Sequence, residues 1–369
     1  MSSAPKYQKL KEQLLEEFIR PSSSSRLPTI REIMKHYSVS QATVTRALGE
    51  LEQEGIVLRR NRTGNLVNRK PVIVDAHSGM QTKARPCIVL AYVDYTAWRL
   101  WNQTCITEQY CRQEQIDIVI MKIRRETKIQ EVVDLVHNQQ NCLGLILKTS
   151  ANKLSAEDLQ LLEGLELPVV LEETVFRYPE APPNVYSLLP DGIAGGNAIA
   201  ELLLQSGHRR IGFIRNEPLY DFTDLIIKSV SWRLKMAGAA IGADFVFSAG
   251  IKSWEDSAQA ALRVVRRDMD RIRELEITAL VFATPSGALA GMRAIQEAGL
   301  KIPGDISIIA CRDCDYTELL YPALTTIDCD FTVMCRLSVD IIRGSTHPHD
   351  HEILLPMQLT KRESIRSLN

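Results

Sequence analysis

Cysteine is the residue type in this sequence that most directly suggests metal or redox chemistry. Cys311 and Cys314 form a C-x-x-C, and Cys329 and Cys335 follow later in the chain. A four-cysteine zinc site needs a second closely spaced pair, which is missing. A redox C-x-x-C normally opens a helix after an early strand, and this pair lies near the other end of the chain. We therefore expect reduced thiols without a catalytic or metal-binding role.

The histidines offer no better spacing for catalysis or metal binding. His347, His349 and His351 alternate in a polar segment that also contains Pro348, which is more typical of a solvated loop. The sequence contains no glycine-rich phosphate loop, no HExxH and no GxSxG. We expect no enzyme activity, no cofactor and no metal.

The distribution of charge points to a polyanion partner. The chain has 44 Lys and Arg against 45 Asp and Glu, but residues 1–70 hold 13 basic and 7 acidic residues. Residues 71–369 hold 31 basic and 38 acidic residues. A basic head on an acidic body favours nucleic-acid binding by the head, with a solvated surface patch as the alternative.

The head has the pattern of a winged helix-turn-helix, which we assign to residues 1–68. Apolar spacing predicts a helix over residues 6–19, and Thr29 with Glu32 forms a capping box for a second helix. Ser40 is placed to cap a third helix that ends before Gly55. Residues 56–59 and 66–68 read as two strands joined by a basic, glycine-containing turn.

This arrangement suits DNA, with the third helix in a major groove and the wing on the backbone. Its first turn, from Ser40 to Thr45, would face base edges, and Arg46 follows one turn later. The wing arginines would meet phosphates or the minor groove; they are Arg59, Arg60 and Arg62. A solvated or dimer-facing role is the alternative for Arg46, and simple helix capping is the alternative for Ser40.

Residues 5–68 resemble the GntR family of bacterial regulators. The resemblance rests on residues 27–33 (LPTIREI), 39–48 (VSQATVTRAL), 51–55 (LEQEG) and 63–67 (TGNLV). It implies DNA contacts at Arg31, Ser40, Thr43 and the wing glycine Gly64. An ion pair with a nearby helix is the alternative for Arg31.

Two positions in the recognition helix depart from the family pattern. Gln41 and Thr45 stand where the family commonly has arginine. Guanine recognition by arginine is therefore lost there, whereas Gln41 can bind adenine through two hydrogen bonds. We keep both residues as candidate DNA contacts and expect an operator sequence of its own.

The body, residues 86–369, follows a linker at 69–85 and alternates strands with helices. Apolar strands bounded by helical stretches predict two α/β units with parallel sheets, and such pairs of lobes bind ligands in the cleft between them. The predicted strands are residues 87–93, 116–121, 143–147, 168–171, 211–214, 245–247, 278–283 and 306–310. The predicted helices include 129–138, 156–165, 192–206, 225–237, 255–275 and 287–298.

Residues 86–360 resemble the LacI/GalR sensor domain, which is built like a periplasmic sugar-binding protein. The motifs are 207–214 (GHRRIGFI), 303–307 (PGDIS), 322–327 (PALTTI) and the glycines that follow Asp191. The overall fold class is thus α/β, an N-terminal winged helix-turn-helix followed by a two-lobed sensor. A GntR-like head on such a sensor is similar to the arabinose-type repressors.

The effector contacts of that family carry over poorly. Ile226 occupies the position of a family arginine, and Pro285 with Ser286 replaces a carboxylate. Arg312 and Asp313 stand where the family has two aspartates. Arg312 would favour an anionic ligand such as a sugar acid or phosphate, unless it forms a salt bridge with a neighbouring acid, for instance Asp313.

Further ligand candidates follow the first strand of each lobe. Sugar rings stack on aromatic side chains in periplasmic-type proteins, and core packing is the alternative for Trp101. The first-lobe candidates are Asp94, Tyr95, Trp98 and Trp101, and the second-lobe candidates are Tyr220 and Asp221, together with Ser286, Arg312 and Asp313.

We expect a cytoplasmic homodimer that represses transcription from a pseudo-palindromic operator and is switched by a small ligand. No stretch is long and apolar enough for a membrane span. Two alternatives stay open. One is a regulator whose degenerate sensor serves only for dimerisation, and the other is a small-molecule binder or enzyme without a DNA role.

Overall fold

The computed structural model describes residues 6–14, 28–53, 57–60, 64–67, 85–94, 98–148, 153–172, 175–239 and 243–368. The chain divides into two compact units, Met1–Thr82 and Lys83–Asn369.

Three helices form the body of the first unit. Glu32 and Thr29 bond reciprocally at the start of the second helix, with the Glu32 amide donating to Thr29 Oγ1 at 3.3 Å. This confirms the capping box. The apolar side chains of all three helices meet in one buried core, which includes Leu10, Ile33, Val44 and Leu48. The helices are α1 (Lys6–Leu14), α2 (Ile30–Tyr37) and α3 (Gln41–Gln53), so residues 15–19 of the helix predicted at 6–19 lie outside the described residues.

The wing is an antiparallel pair of strands, β1 (Val57–Arg60) and β2 (Gly64–Val67). The first strand extends one residue past its predicted end and the second begins two residues before its predicted start, while Ile56 and Asn68 of the predicted strands lie outside the described residues. Gly64 pairs with Arg60 in the register and is the first residue of the second strand.

The first lobe of the second unit is a parallel sheet in the order β13-β7-β6-β5-β3-β4. Its strands are nearly continuous apolar runs because helices cover both faces of the sheet. The strands are β3 (Cys87–Val93), β4 (Asp117–Ile123), β5 (Cys142–Lys148), β6 (Val169–Glu172), β7 (Val185–Pro190) and β13 (Glu352–Leu355). The helices are α4 (Trp98–Gln113), α5 (Ile129–His137), α6 (Ala156–Glu163) and α12 (Phe331–Ile342).

The second lobe repeats this plan in the order β14-β12-β11-β10-β8-β9, with β14 as the antiparallel strand. Its strands are β8 (Ile211–Arg215), β9 (Val246–Ser248), β10 (Ala279–Phe282), β11 (Ser307–Cys311), β12 (Thr325–Cys329) and β14 (Met357–Thr360). Its helices are α7 (Gly192–Gln205), α8 (Asp221–Met236), α9 (Ser257–Arg267), α10 (Met269–Glu274) and α11 (Pro285–Glu297). Two mostly parallel sheets confirm the predicted α/β class.

The chain passes between the lobes after β7, after β12 and after β13, so α12 and β13 complete the first lobe. Residues distant in sequence therefore meet at the junction. These returning elements fall outside the strand-helix alternation that the sequence shows between residues 87 and 310.

Two predicted helices differ clearly in extent from the structure. The helix predicted at 225–237 begins four residues earlier, at Asp221. The stretch predicted as one helix at 255–275 is divided into α9 and α10, which meet at Asp268 with φ −101° and ψ 11°. The first of them begins later than predicted because the Asp256 carboxylate accepts hydrogen bonds from the amides of Ala258 and Gln259 and caps it.

A fully buried ion pair lies in the first lobe. Lys148 at the end of β5 pairs with Glu172 at the end of β6. The Lys148 ammonium also donates to Gln103 Oε1 on α4 at 2.9 Å, and Ser338 on α12 donates to Glu172 Oε1 at 2.9 Å. The surrounding hydrogen bonds offset the desolvation of both charges and tie two strands to two helices.

Among the residues that the structure describes, no helix is both long and apolar enough to span a bilayer.

Lys148→Met is expected to lower the free energy of unfolding of the second unit by about 3–5 kcal/mol, because Glu172 would stay buried without its cation. Urea unfolding of the full chain, followed by fluorescence, measures this. Lys122→Met is the matched control, since Lys122 pairs with Asp94 at 3.1 Å but is 58% exposed. It should change stability by less than about 1 kcal/mol. Equal effects of the two variants would contradict the assignment.

Candidate functional site

The first turn of α3 presents a polar face to solvent. Gln41, Thr45 and Arg46 are exposed, while Val44 on the opposite side is buried in the core. The amide of Thr43 donates to Ser40 Oγ at 3.3 Å, and the two hydroxyls lie 2.9 Å apart. Ser40 therefore caps the helix, and the candidate contacts of this turn share one accessible surface.

Two arginines of the head are placed differently. Arg31 is exposed in the first turn of α2. The Arg46 guanidinium carbon lies 4.1 Å from the centre of the Tyr7 ring, a cation-π contact within the head. Arg46 is thus exposed and at the same time oriented by Tyr7.

The backbone of the wing places Arg59 and Arg60 at successive positions of β1, opposite Asn65 and Gly64. Arg62 lies outside the described residues.

A cavity of about 610 Å³ lies between the two lobes of the second unit. It receives side chains that follow β8, β10 and β11, at the carboxyl ends of parallel strands. Four of the sequence candidates line it, namely Tyr220, Ser286, Arg312 and Asp313. They are joined by residues that the sequence argument did not select, among them Arg99, Glu217, Trp254, Ser257, Thr284 and Tyr316.

The other candidates lie elsewhere or cannot be placed. Asp94 pairs with Lys122 on the neighbouring strand, and Trp101 is 65% exposed. Asp221 accepts a hydrogen bond from the amide of Arg177 at 3.0 Å. None of these three lines the cavity. Tyr95 and the side chain of Trp98 lie outside the described part of the chain.

Arg312 has an unusual backbone conformation for a residue with a side chain. Its φ is 72°, in the left-handed region, and its amide donates to the carbonyl of Ile327 at 2.7 Å. The guanidinium carbon lies 5.1 Å from the centre of the Phe222 ring. Such strain is often found where a loop must orient a functional side chain.

The ion pair that Asp313 forms within the described part of the chain is with Arg362. Arg362 donates to Asp313 Oδ2 at 2.9 Å, and Thr317 donates to the other oxygen. Burial would raise the pKa of the Asp313 carboxyl, but the hydrogen bonds from Arg362 and Thr317 outweigh it and lower that pKa. Asp313 therefore stabilises the loop that carries Arg312.

Glu217 brings a carboxylate to the same side of the cavity. Burial raises the pKa of Glu217, although a hydrogen bond from Ser257 and the positive charge of Arg312 act in the lowering direction. The sequence signal for this residue was its position two places beyond β8, the kind of strand end from which ligand-binding residues come.

Hydroxyl groups line the floor near these charges. Asn216 donates to Thr284 Oγ1 at 2.8 Å, and Thr284 Oγ1 lies 3.2 Å from Ser286 Oγ. A Cβ on Gly287 would come within 2.2 Å of the Asn216 amide nitrogen. The glycine is therefore required for this close approach. The cavity thus holds guanidinium, carboxylate, hydroxyl and aromatic groups together.

Burial disfavours the thiolate form of Cys311 and Cys314 beside the cavity. Burial raises the pKa of Cys311 to about 12, which disfavours its thiolate. Among the described residues, no group of three or more His, Cys, Asp or Glu side chains is arranged to hold a metal ion.

Comparison with known proteins finds a family match in part of each unit. Residues 6–67 match the bacterial regulatory proteins of the gntR family, and residues 200–365 match the periplasmic binding protein-like domain. The arabinose metabolism transcriptional repressor of Geobacillus stearothermophilus is 25% identical over 335 residues, 88% of this chain and 86% of that protein. The ribose operon repressor of Haemophilus influenzae is 26% identical over 266 residues, 71% of this chain and 75% of that protein.

The fold has close structural neighbours. The lac repressor dimer bound to operator and the anti-inducer ONPF matches with a TM-score of 0.63 and 20% identity, covering 77% of this chain and 95% of that one.

Asp313→Asn is expected to lower the free energy of unfolding by about 1.5–3 kcal/mol, because hydrogen bonds to a charged group are lost. The folded-state pKa of Asp313 is lowered, so its contribution is complete above about pH 4 and is lost as the pH falls through the folded value. Urea unfolding at pH 7 and in acid should therefore show variant and parent converging as the pH falls. Ser286→Ala, a change of another cavity residue, should stay within about 1 kcal/mol of the parent at both pH values.

Proposed function

Because the chain is a bacterial transcriptional regulator that joins a gntR-family DNA-binding domain to a periplasmic binding protein-like domain, we propose that a sugar or sugar derivative between the lobes switches its affinity for an operator. The observation that carries the proposal is the cavity, where a guanidinium and a carboxylate stand beside hydroxyls and aromatic rings. Repression relieved by the ligand is the sign we propose, by analogy with the named repressors. Its site of action is then the bacterial cytoplasm, where the DNA lies.

The DNA contact is proposed on the exposed turn of α3 and on the wing. Gln41, Thr43 and Thr45 would contact base edges, with Ser40 and Arg31 on phosphates. The arginines at 59, 60 and 62 would add backbone contacts. Arg46 would also contact the DNA, with its guanidinium held over the Tyr7 ring on one side of α3.

The chemistry of the cavity supports a ligand with several hydroxyl groups. Glu217 and Arg312 can accept from and donate to neighbouring hydroxyls, and Trp254, Tyr220 and Phe222 offer apolar faces for a sugar ring. The positive charge of Arg312 favours the ionised form of Glu217. Because groups of both charges line the cavity, a neutral polyol is the first candidate, with an anionic sugar derivative as the second candidate for Arg312.

The structure shows where Ile226 and Pro285 lie, the two residues that differ from the polar effector contacts of the LacI/GalR sensor domain. Ile226 is buried in the core of the second lobe, and Pro285 opens α11. Neither residue supplies a polar group, but Glu217 and Ser286 supply polar groups at the cavity from neighbouring positions. A sensor kept only for dimerisation would not need this set, so we favour a ligand-binding sensor.

A homodimer is proposed from an exposed apolar patch and from the pseudo-palindromic operators that two-fold dimers bind. Leu319 and Tyr321 are 78% and 92% exposed on the loop between β11 and β12. Large apolar side chains on one exposed loop suit contact with a second copy of the chain. The structural neighbour with operator is itself a dimer.

Ser40 variants test the DNA contact. Ser40→Asp keeps an acceptor for the Thr43 amide, so the head should stay folded, but the new charge should repel phosphate and weaken DNA binding. Ser40→Ala loses the cap and about 1 kcal/mol of stability. Fluorescence anisotropy with a duplex selected by the parent from a randomised palindromic library measures the affinity. We expect Asp to bind more weakly than Ala, whereas a purely capping role predicts the reverse order.

Gln41→Ala is the matched specificity control in the same assay. It should weaken binding to the selected duplex and leave binding to random DNA nearly unchanged. Parent affinity that does not fall with added salt would contradict a role in DNA binding altogether.

Thermal unfolding in the presence of sugars tests the sensor. Arabinose, ribose, lactose, sugar acids and sugar phosphates form the panel, and a ligand at about 100 times its Kd should stabilise by about 2.7 kcal/mol. Arg312→Ala and Glu217→Gln should abolish the shift, and Arg293→Ala, an exposed arginine on α11, should retain it. Because the pKa of Glu217 is raised, affinity in the parent should fall as the pH drops through that raised value and the carboxyl becomes protonated. A blank panel would favour the sensor used only for dimerisation.

A further inference from the structure

One ion pair joins the two lobes beside the cavity. Arg99 lies in the first turn of α4 in the first lobe, and Asp328 lies on β12 in the second. The guanidinium meets the carboxylate through both terminal nitrogens, from Nη1 to Oδ2 and from Nη2 to Oδ1 at 3.2 Å. The side chains are only 13% and 9% exposed. A bidentate, mostly desolvated pair of this kind depends strongly on the relative position of its two partners.

Asp328 also holds the loop that carries Arg312. The amide of Asp313 donates to Asp328 Oδ2 at 2.9 Å, and the amide of Cys329 donates to Oδ1 at 2.8 Å. Oδ2 is the same oxygen that accepts from Arg99. A shift of the backbone after Arg312 therefore alters the acceptor on which the contact between the lobes depends.

On the other side, Arg99 belongs to a firmly anchored helix. Gln103, one turn further along α4, accepts from Lys148 in the fully buried pair with Glu172. Ser338 extends this cluster to α12. Because protein interiors are close-packed, a displacement of Arg99 would also displace α4 and the elements bound to it.

We propose that the Arg99–Asp328 ion pair is the positioning contact through which occupancy of the cavity at Arg312 is passed to α4. The proposal rests on the proposed function, since it assigns the regulation of that same cavity. A ligand held by Arg312 shifts the position of the neighbouring Asp313 amide. This shift alters the hydrogen bond from that amide to Asp328, and with it the ion pair between Asp328 and Arg99. Because Arg99 is part of α4, the helix moves with it. Arg99 and Asp328 thus form the element whose arrangement the ligand biases, as an allosteric connection requires.

Asp328→Asn is the main test, because Asp328 does not line the cavity. Three quantities are measured on the full chain, namely the Kd for arabinose, the Kd for the selected operator duplex, and the ratio of the operator Kd with and without saturating arabinose. Sugar binding is expected within about threefold of the parent. The ratio, expected at about 5–150 for an ordinary allosteric coupling, should fall close to one. Arg99→Lys retains the charge and should restore part of the ratio that Arg99→Gln loses.

Arg343→Gln is the matched control. Arg343 pairs with Glu114 just beyond α4, is 33% exposed, and is not among the described residues that line the cavity. It should leave the ratio unchanged. A ratio in Asp328→Asn within twofold of the parent would overturn the proposal, and so would an equal loss in Arg343→Gln. If Asp328→Asn does not fold, the Arg99→Lys and Arg99→Gln pair decides in the same assay.

Hydrogen exchange separates this proposal from the sugar assignment. In the absence of any ligand, Asp328→Asn should increase exchange both at residues 312–317 and at residues 99–104, and Arg343→Gln should increase it at neither segment. If arabinose does not bind the parent, the proposed sugar class fails, and this paired change still supports the connection. Faster exchange at 312–317 alone would overturn it.

Discussion

The constraint on which this protein most depends is the common direction of its parallel strands. In a parallel sheet every strand ends at the same edge, and here two such edges face one cavity. Glu217 follows β8, Thr284 follows β10 and Arg312 follows β11 because each loop leaves the sheet at that edge. The sheets are buried on both faces, so polar side chains concentrate at the strand ends. The apolar residues along each strand therefore stabilise the core, and the polar residues that follow the strand are available for ligand binding.

The charges at the cavity are arranged in opposed pairs. Asp313 forms an ion pair with Arg362, and Arg99 forms one with Asp328. The positive charge of Arg312 acts to lower the pKa of Glu217. Each carboxylate lowers the cost of burying a guanidinium near it. A neutral molecule with many hydroxyls can add to such a set without leaving a charge unpaired. The same pairing gives the loop after β11 a defined geometry, which is the condition for a ligand there to have an effect elsewhere in the sensor.

The three passages of the chain between the lobes bring residues that are distant in sequence into contact across the junction. Asp328 is one residue before the end of β12, and the chain then enters the first lobe as α12. On the opposite wall, Phe176 of the first lobe packs edge-on against Tyr220, and the Phe222 amide donates to the carbonyl of Val175 at 3.3 Å. The lobes are thus joined by short polar and aromatic contacts at the very residues that border the cavity. Changes in cavity contents and changes in lobe position are consequently difficult to separate.

Local signals in the sequence were sufficient for the winged helix and for the alternation of strands and helices. The capping box at Thr29, the cap at Ser40 and the apolar runs of the strands each depend on neighbours within a few residues, and periodicity reports such neighbours directly. Of the cavity residues selected from the sequence, Tyr220 follows a predicted strand. The other three, Ser286, Arg312 and Asp313, were indicated by the resemblance to the LacI/GalR sensor domain. Arg99, Asp328 and Arg362 could not, since their partners lie 49 to 229 positions away and only the folded chain brings them together. The same holds for Asp94 and Asp221, whose charges are taken up by Lys122 and by the Arg177 amide. Sequence spacing indicates which edge of a sheet a residue reaches, whereas long-range packing decides which charge it meets there.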